Sequence, residues 1–132
     1  MSRQRRRVWS GGPWEASFGY CRAVRVGDRI VVSGCTAAGD DEVLRSNDPA
    51  GQARVALEVG LTAIRELGGD LPDVVRTRVF VVHRRDAEIV GQVHGEVFAE
   101  HPPAATMLQV AGLLHPDMRV EIELEAVLDD PA

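Results

Sequence analysis

Charged and apolar residues alternate strictly near the C-terminal end of the chain. Between residues 119 and 126 every second residue is apolar, and the residues between them are Arg119, Glu121, Glu123 and Glu125. This period is typical of a β-strand with one buried face, so a strand is predicted over 118–128. Three carboxylates on one strand face repel each other unless something separates, solvates or protonates them. A carboxylate on a rigid strand is also a good candidate for acid–base chemistry.

The N-terminal part of the chain has the pattern of a β-hairpin. Residues 5–10 are compatible with a short first strand, and residues 17–26 alternate. Gly27 and Asp28 provide a turn, and strand-like residues resume at 30–34. Residues 17–36 are therefore predicted to form a hairpin. The polar segment 39–47 is predicted to be a loop.

Two later segments have helical spacing. The first begins at Asp48 and Pro49, an N-cap acceptor followed by a proline suited to the first helical position, and Gly68-Gly69 would end it. Its apolar or small stripe lies at 53, 57, 60, 61, 64 and 67. The second helix is predicted to be capped by Asp86 and stopped by Pro102-Pro103. Its residues expected to face inward are Ile89, Val90, Val93, Val97 and Phe98. Further strands are predicted over 74–82 and 105–111.

These elements follow one another in the order β-β-β-α-β-α-β-β. Helices grouped against a mixed β-sheet indicate the α+β class, here a two-layer sandwich with two helices on one face of the sheet. A chain of 132 residues is expected to form one domain, residues 1–132. A single helical layer leaves the other sheet face or the sheet edges uncovered, so oligomers are expected. The side chains expected to be buried by a partner are Val75, Val79 and Val81.

Composition narrows the classes of partner. The chain is 45% hydrophobic, yet no apolar run approaches the length of a membrane helix, so no membrane partner is expected. The basic residues 1–7 precede no apolar stretch and are expected to form a flexible N-terminal arm rather than a secretory signal, which points to the cytoplasm. A formal net charge of -5 argues against nucleic acid as the main partner.

No metal site is predicted from the cysteines and histidines. Cys21 and Cys35 form neither a CxxC nor a zinc pattern, and two reduced thiols are expected. Nothing near Cys35 in the sequence would lower its pKa, so a packed thiol is the default. The histidines, which lie at 83, 94, 101 and 115, also lack metal-ligand spacing.

Several short motifs occur in a specific order and spacing. They are Gly19-Tyr20-Cys21-Arg22-Ala23-Val24, Val32-Ser33-Gly34, residues 73–81, Pro103-Ala104 before a strand, and Val120-Glu121-Ile122-Glu123. Over roughly residues 15–128 the chain resembles the YjgF/YER057c/UK114 family, also called RidA, the reactive-intermediate deaminases, or endoribonuclease L-PSP. The resemblance implies a chorismate-mutase-like fold and a homotrimer with three clefts between subunits. It also implies hydrolysis of a small enamine or imine to ammonia and a ketone, without a cofactor.

The sequence departs from the family pattern at one important position. In the family an arginine directly after Pro-Ala grips the ligand carboxylate, but Ala105 stands there in this chain. Loss of such a bidentate partner typically costs about 2–5 kcal/mol for a buried anion. The family cysteine two residues on is Met107 here, and a common asparagine on the second helix corresponds to Gly91. The resemblance thus points to an arginine-lacking subgroup with atypical specificity.

The family's remaining site positions are Tyr20, Ser33, Glu121 and the strand backbone around Ala105 and Met107. Glu121 would act as a general base for water or shuttle a proton to the leaving nitrogen; alternatively it belongs to an inter-subunit salt bridge with Arg119 or another arginine. Tyr20 and Ser33 would orient the ligand, or serve packing and a turn or bulge.

Two further residues are weaker candidates for ligand contacts. Arg22, two residues beyond Tyr20 on the predicted strand, is a speculative replacement for the missing positive charge; alternatively it is solvated or paired. His94 would relay protons if the second helix approaches the cleft; alternatively it is a satisfied core or surface histidine.

Three functions remain open from the sequence. The first is a cofactor-independent enamine or imine hydrolase acting on a small molecule that is less anionic, or bound differently, than an imino acid. The second is a non-catalytic trimer of the same fold that binds a metabolite or a partner protein. The third and weakest is an endoribonuclease, because the balance of charge is acidic and no convincing pair of residues for RNA cleavage is present.

Overall fold

A mixed six-stranded β-sheet forms the centre of the computed structural model, which describes residues 4–129. The strands are β1 (Arg5–Val8), β2 (Ala23–Val26), β3 (Arg29–Cys35), β4 (Val74–Val81), β5 (Ala104–Gln109) and β6 (Val120–Val127). Their spatial order is β1-β2-β3-β6-β4-β5. Only the β4–β5 pair is parallel among these strands, and α4 (Ala87–Val97) connects its two members. The predicted α+β sheet-and-helix architecture is confirmed.

The longest helix, α3 (Pro49–Glu66), packs against the sheet as its apolar stripe predicts. All six predicted stripe positions are buried: Ala53, Leu57, Gly60, Leu61, Ile64 and Leu67. Gly60 permits a close approach, because a Cβ added there would lie 2.6 Å from Cδ1 of Leu124 on β6. Gly68 has φ +94°, a left-handed conformation suited to glycine just after a helix. The helix and the position of its ends are therefore confirmed, but Asp48, predicted to be an N-cap acceptor, accepts no cap hydrogen bond with its side chain.

Two short helices replace segments predicted to be strand or loop. Residues 17 and 18 belong to α1 (Pro13–Phe18), and the hairpin of β2 and β3 begins only at Ala23. The predicted loop 39–47 contains α2 (Asp41–Arg45), whose first turn is capped by the Asp40 side chain. Both predictions were wrong because short helices lack a readable period and depend on tertiary anchors, such as buried Leu44 in α2.

Two predictions need correction: which valines of β4 are left for a partner to bury, and which residues of α4 face inward. Val79 and Val81 are buried within the chain's own core, whereas Val75 is 44% exposed. A register shift between Val74 and Arg76 breaks the alternation, so Val75 does not share a face with the two later valines. On α4, Val90 and Val93 are buried and Val97 is partly buried, as predicted, and so is Phe98 directly after the helix. Ile89 lies to the side of this stripe and is 38% exposed.

A buried polar network ties the start of β6 to the helical layer. Arg119 makes a bidentate ion pair with Asp86, with Nε–Oδ2 and Nη2–Oδ1 distances of 2.9 Å. Its Nη1 donates to the side chain of Asn47, and its backbone N–H donates to Gln52 Oε1 at 2.8 Å. Asp86, predicted to cap the second helix, is its N-cap residue but makes no side-chain cap bond. Its carboxylate is instead paired with Arg119.

Basic residues of the N-terminal segment take part in the β-sheet. Of the predicted flexible arm, residues 1–3 lie outside the described part of the chain. Arg5, Arg6 and Arg7 lie in β1 and pair with β2, so the arm prediction is wrong for them. Within residues 4–129, no helix is long and apolar enough to cross a membrane.

Candidate active site

A cleft of about 900 Å³ lies where α1 faces the end of β3 and the start of β6. Four residues singled out from the sequence line it: Tyr20, Arg22, Ser33 and Glu121. Apolar walls come from α1, with Trp14 and Phe18, and from the loop before β6, with Leu114 and Met118. The structure therefore brings together the polar candidates of β3 and β6 with an aromatic helix that the sequence did not predict.

Glu121 occupies space that only a glycine on the neighbouring strand leaves open. A Cβ added at Gly34 would lie 2.2 Å from Glu121 Oε2 and 2.8 Å from its Cδ. The carboxyl group thus rests directly above the Gly34 backbone, half-buried in the cleft. Burial raises the pKa of Glu121 above its ordinary value; the charge of Glu123 adds to the rise, and that of Arg22 opposes it.

The backbone of β3 is irregular beneath this carboxyl group. The pairing of β3 with β6 shifts register between Val32 and Cys35. Ser33 stays hydrogen-bonded to the segment directly before β2: its N–H donates to Arg22 O at 2.9 Å, and its hydroxyl donates to Cys21 O at 2.8 Å. The Ser33 oxygen keeps lone pairs with which it can accept a hydrogen bond from a ligand.

Arg22 lies at the base of the cleft with every guanidinium nitrogen engaged. Nη1 donates to the backbone oxygens of Ser33 at 3.1 Å and Gly34 at 2.6 Å. Nε donates to Ser10 Oγ at 3.3 Å, and Nη2 lies 3.5 Å from Glu15 Oε2. The side chain is buried and fixes the shape of the β3 irregularity.

Glu15 anchors α1 to this arginine, a role that the sequence did not reveal. Its carboxylate accepts the backbone N–H groups of Ser10 and Gly11, at 3.0 and 3.3 Å, and the Ser10 hydroxyl. Burial alone would raise the pKa of Glu15, but the Ser10 hydrogen bonds and the Arg22 charge bring it below its usual value. No sequence signal marks Glu15. For Glu121 there is a signal, because a glycine within a strand, such as Gly34, indicates that another group approaches the backbone closely.

Aromatic rings cover one side of the cleft. Phe18 and Tyr20 meet edge to face with centroids 5.8 Å apart. The Arg22 guanidinium carbon lies 5.7 Å from the centroid of the Tyr20 ring. Tyr20 and Arg22 follow α1 rather than lying on a strand, so their predicted common strand face was wrong, although their side chains do meet. Phe18 is 82% exposed, which leaves an aromatic surface at the mouth of the cleft.

The other predicted site residues lie elsewhere on the chain. Ala105 and Met107 are on the edge strand β5, and His94 is on α4; none of the three lines the cleft of Glu121. His94 Nε2 lies 2.8 Å from Thr77 Oγ1, and burial lowers the pKa of this histidine. Met107 approaches α4, because a Cβ added at Gly91 would lie 3.9 Å from its Cε.

Other reactive groups do not form a second chemical site in the described residues. Cys35 is buried, and burial raises the pKa of its thiol to about 11, so a thiolate nucleophile is disfavoured. Arg119 pairs with Asp86 and not with Glu121 in this chain. No cluster of three or more histidine, cysteine or acidic side chains able to hold a metal occurs between residues 4 and 129.

The fold and cleft define an α+β protein with a small-molecule-sized cleft at the end of its sheet. A family model described as Endoribonuclease L-PSP matches residues 13–128, and the chain belongs to this family. The crystal structure of Rv2704 from Mycobacterium tuberculosis, a member of the YjgF/YER057c/UK114 family, is similar with a TM-score of 0.86 and 39% identity. That match covers 95% of this chain and 100% of the other.

Curated relatives include one of unknown function and one named as an enzyme. An uncharacterized protein of Streptomyces coelicolor is 44% identical over 92% of this chain and 90% of its own length. The 3-aminoacrylate deaminase RutC of Acinetobacter baylyi is 33% identical over 78% of this chain and 82% of its own length. The family resemblance drawn from the motifs is confirmed, whereas the arginine-lacking subgroup stays a prediction.

Proposed function

We propose that this protein is a cofactor-independent hydrolase of small imines or enamines. The observation that carries the proposal is Glu121, a half-buried carboxyl group aimed into a cleft and held over Gly34. Within residues 4–129, Glu121 makes no hydrogen bond or ion pair with another side chain, so its carboxyl group is available to water or a ligand. A pKa raised by burial brings such a group closer to the operating range of a general base.

The reaction needs one water molecule and one proton carrier. Glu121 accepts a proton from water as the oxygen adds to the carbon of a protonated C=N bond. The proton then passes to the nitrogen of the tetrahedral adduct. The C–N bond breaks, ammonia leaves, and the remaining hydroxyl loses its proton to give the C=O group. An enamine enters the same route after protonation on carbon. Tyr20 and Ser33 orient the ligand by hydrogen bonding.

A homotrimer would explain why the candidate residues fall into two groups. Ala105 and Met107 lie on the exposed edge strand β5, away from the cleft of the same chain. In the proposed assembly the β5 edge of one subunit closes the cleft of its neighbour and contributes backbone groups to it. Exposed Val75 and Leu108 would be covered in this arrangement. The chain is proposed to work in the cytoplasm.

The substrate specificity is proposed to differ from that of imino-acid deaminases. Ala105 offers neither charge nor a side-chain donor to a carboxylate, and the donors of Arg22 are occupied by protein oxygens and a thiol. The relative named 3-aminoacrylate deaminase supports the enamine or imine class but not a particular substrate.

Ammonia release from enzymatically generated imines tests the proposal. An amino-acid oxidase supplies carboxylated imines and an amine oxidase supplies uncarboxylated ones, with ammonia measured in a coupled assay. We expect release faster than in buffer alone, and faster still for the uncarboxylated class. If the protein accelerates ammonia release from no imine and still binds a ligand in the cleft, the hydrolase proposal is rejected in favour of a non-catalytic binding protein.

A further inference from the structure

The charges lining the cleft do not balance. Its charged lining residues are Arg22, Glu121 and Glu123. Glu123 has a cation beside it, since its Oε1 lies 3.7 Å from Arg78 Nη1, and Arg22 has Glu15 at 3.5 Å. Among residues 4–129, Glu121 is the lining carboxylate for which no ion pair is recorded. With Glu121 ionised, the cleft lining therefore carries more negative than positive charge.

Arg22 cannot offset this charge for an incoming anion without breaking existing bonds. Its guanidinium already donates to Ser10, Ser33 and Gly34. It is buried beneath the cleft, and its remaining nitrogen faces Glu15. A ligand carboxylate placed near Glu121 would meet a like charge in a partly desolvated site, which is unfavourable.

The walls of the cleft suit a cation with an apolar body. Trp14, Phe18 and Tyr20 present aromatic faces and edges, and aromatic faces attract ammonium groups as well as apolar surface. Val59, Leu114 and Met118 extend the apolar lining. In the proposed trimer the neighbour's β5 would add no cation, because the six side chains of Ala104–Gln109 are all uncharged.

We propose that this cleft selects a positively charged, carboxylate-free ligand with an aromatic or branched apolar body: a protonated amine or the iminium derived from it. The ammonium or iminium nitrogen lies against the Glu121 carboxylate, and the apolar body lies against the α1 aromatic residues. This inference specifies the substrate class of the hydrolase proposed above and depends on it for turnover, although not for binding.

Two probes of similar shape and opposite charge test the selection. Phenethylammonium and 3-phenylpropanoate are titrated into the full-length protein at neutral pH, and binding is followed by calorimetry and by amide NMR shifts. We expect the amine to bind at least tenfold more tightly, with shifts at Tyr20, Gly34 and Glu121. Equal or tighter binding of the carboxylate would overturn the proposal, as would absence of amine binding.

A matched pair of variants assigns the selectivity to one side chain. Glu121→Gln keeps the shape of the side chain, removes its charge and should weaken amine binding at least tenfold. Glu125→Gln removes a carboxylate from the same strand outside the cleft, where it pairs with Arg29 and Arg78, and should leave binding unchanged. Unchanged amine binding in a folded Glu121→Gln variant would overturn the assignment.

The binding and turnover results separate the two proposals. Amine binding without ammonia release from any imine would retain the ligand class and reject the hydrolase. Hydrolysis of carboxylated imines together with binding of 3-phenylpropanoate would retain the hydrolase and reject the ligand class.

Discussion

Replacing Gly34 with alanine should displace the Glu121 side chain while leaving the fold intact. The new Cβ would lie 2.2 Å from Glu121 Oε2, 2.8 Å from Cδ and 3.1 Å from Cγ. Real Cβ atoms essentially never approach another heavy atom as closely as the first two distances, so the carboxyl group must move. The contacted atoms belong to a flexible side chain, and no group within residues 4–129 would lose a hydrogen bond to the carboxylate.

The expected cost to stability follows from that geometry. Forcing a side chain into a poorer rotamer costs about 0.5–1.5 kcal/mol, and moving Glu121 toward water offsets part of it. We therefore expect a loss of at most about 1.5 kcal/mol in the free energy of unfolding. The effect on the reaction should be much larger, since a misplaced general base typically costs about 10²–10⁴-fold in rate.

Urea denaturation and ammonia release, measured on the same preparations, check both expectations. Gly95→Ala is the control, because a Cβ there meets nothing within 4 Å and Gly95 lies on the exposed side of α4. It should stabilise the protein by up to about 1 kcal/mol and leave the rate unchanged. Full activity in Gly34→Ala would refute the assigned position of Glu121, and so would unfolding of that variant.

Three further predictions concern ionisable side chains that are buried or half-buried. Asp86→Ala leaves the Arg119 guanidinium buried without its ion pair and should lower the free energy of unfolding by about 3–5 kcal/mol in urea titrations; a change below about 1 kcal/mol would contradict the pairing. Because burial raises the pKa of Glu121, the folded state binds its proton more tightly, and that stabilisation is lost as pH rises through the folded pKa. The free energy of unfolding of Glu121→Gln should therefore rise relative to that of the wild type as pH rises from about 4 to 8. A difference in urea midpoints between the two proteins that does not change with pH would contradict the raised pKa of Glu121. Cys35, buried with a pKa of about 11, should react with a thiol reagent only after unfolding, and rapid labelling in the native protein would contradict its packing.

The sequence predicted those elements whose residues repeat with a clear period. Alternation identified β6, and the stripe of α3, with Pro49 as its first residue and Gly68 after its end, identified the helix. The short helices α1 and α2 were not predicted from the sequence, because they depend on tertiary contacts. Glu15 of α1 is held by Ser10 and Arg22, and no spacing rule reveals such contacts.

The candidate site was predicted in part for similar reasons. Alternation places Glu121 on the charged face of β6 together with Glu123 and Glu125, and the resemblance to the family singled it out among the three. The sequence did not reveal the role of Arg22. Its guanidinium donates to the backbone oxygens of Ser33 and Gly34, which lie 11 and 12 residues further along the chain. The division of the candidates between the cleft and β5 also needed three-dimensional placement, because a sequence carries no record of which sheet edge meets another subunit.

The central claim is that the Glu121 carboxylate activates water for C=N hydrolysis. The most direct measurement compares kcat/KM of the wild type, Glu121→Gln and Glu125→Gln on the imine that the wild type hydrolyses fastest. We predict a loss of about 10²–10⁴-fold for Glu121→Gln and no more than a twofold change for Glu125→Gln. A folded Glu121→Gln variant that retains wild-type kcat/KM would contradict the account.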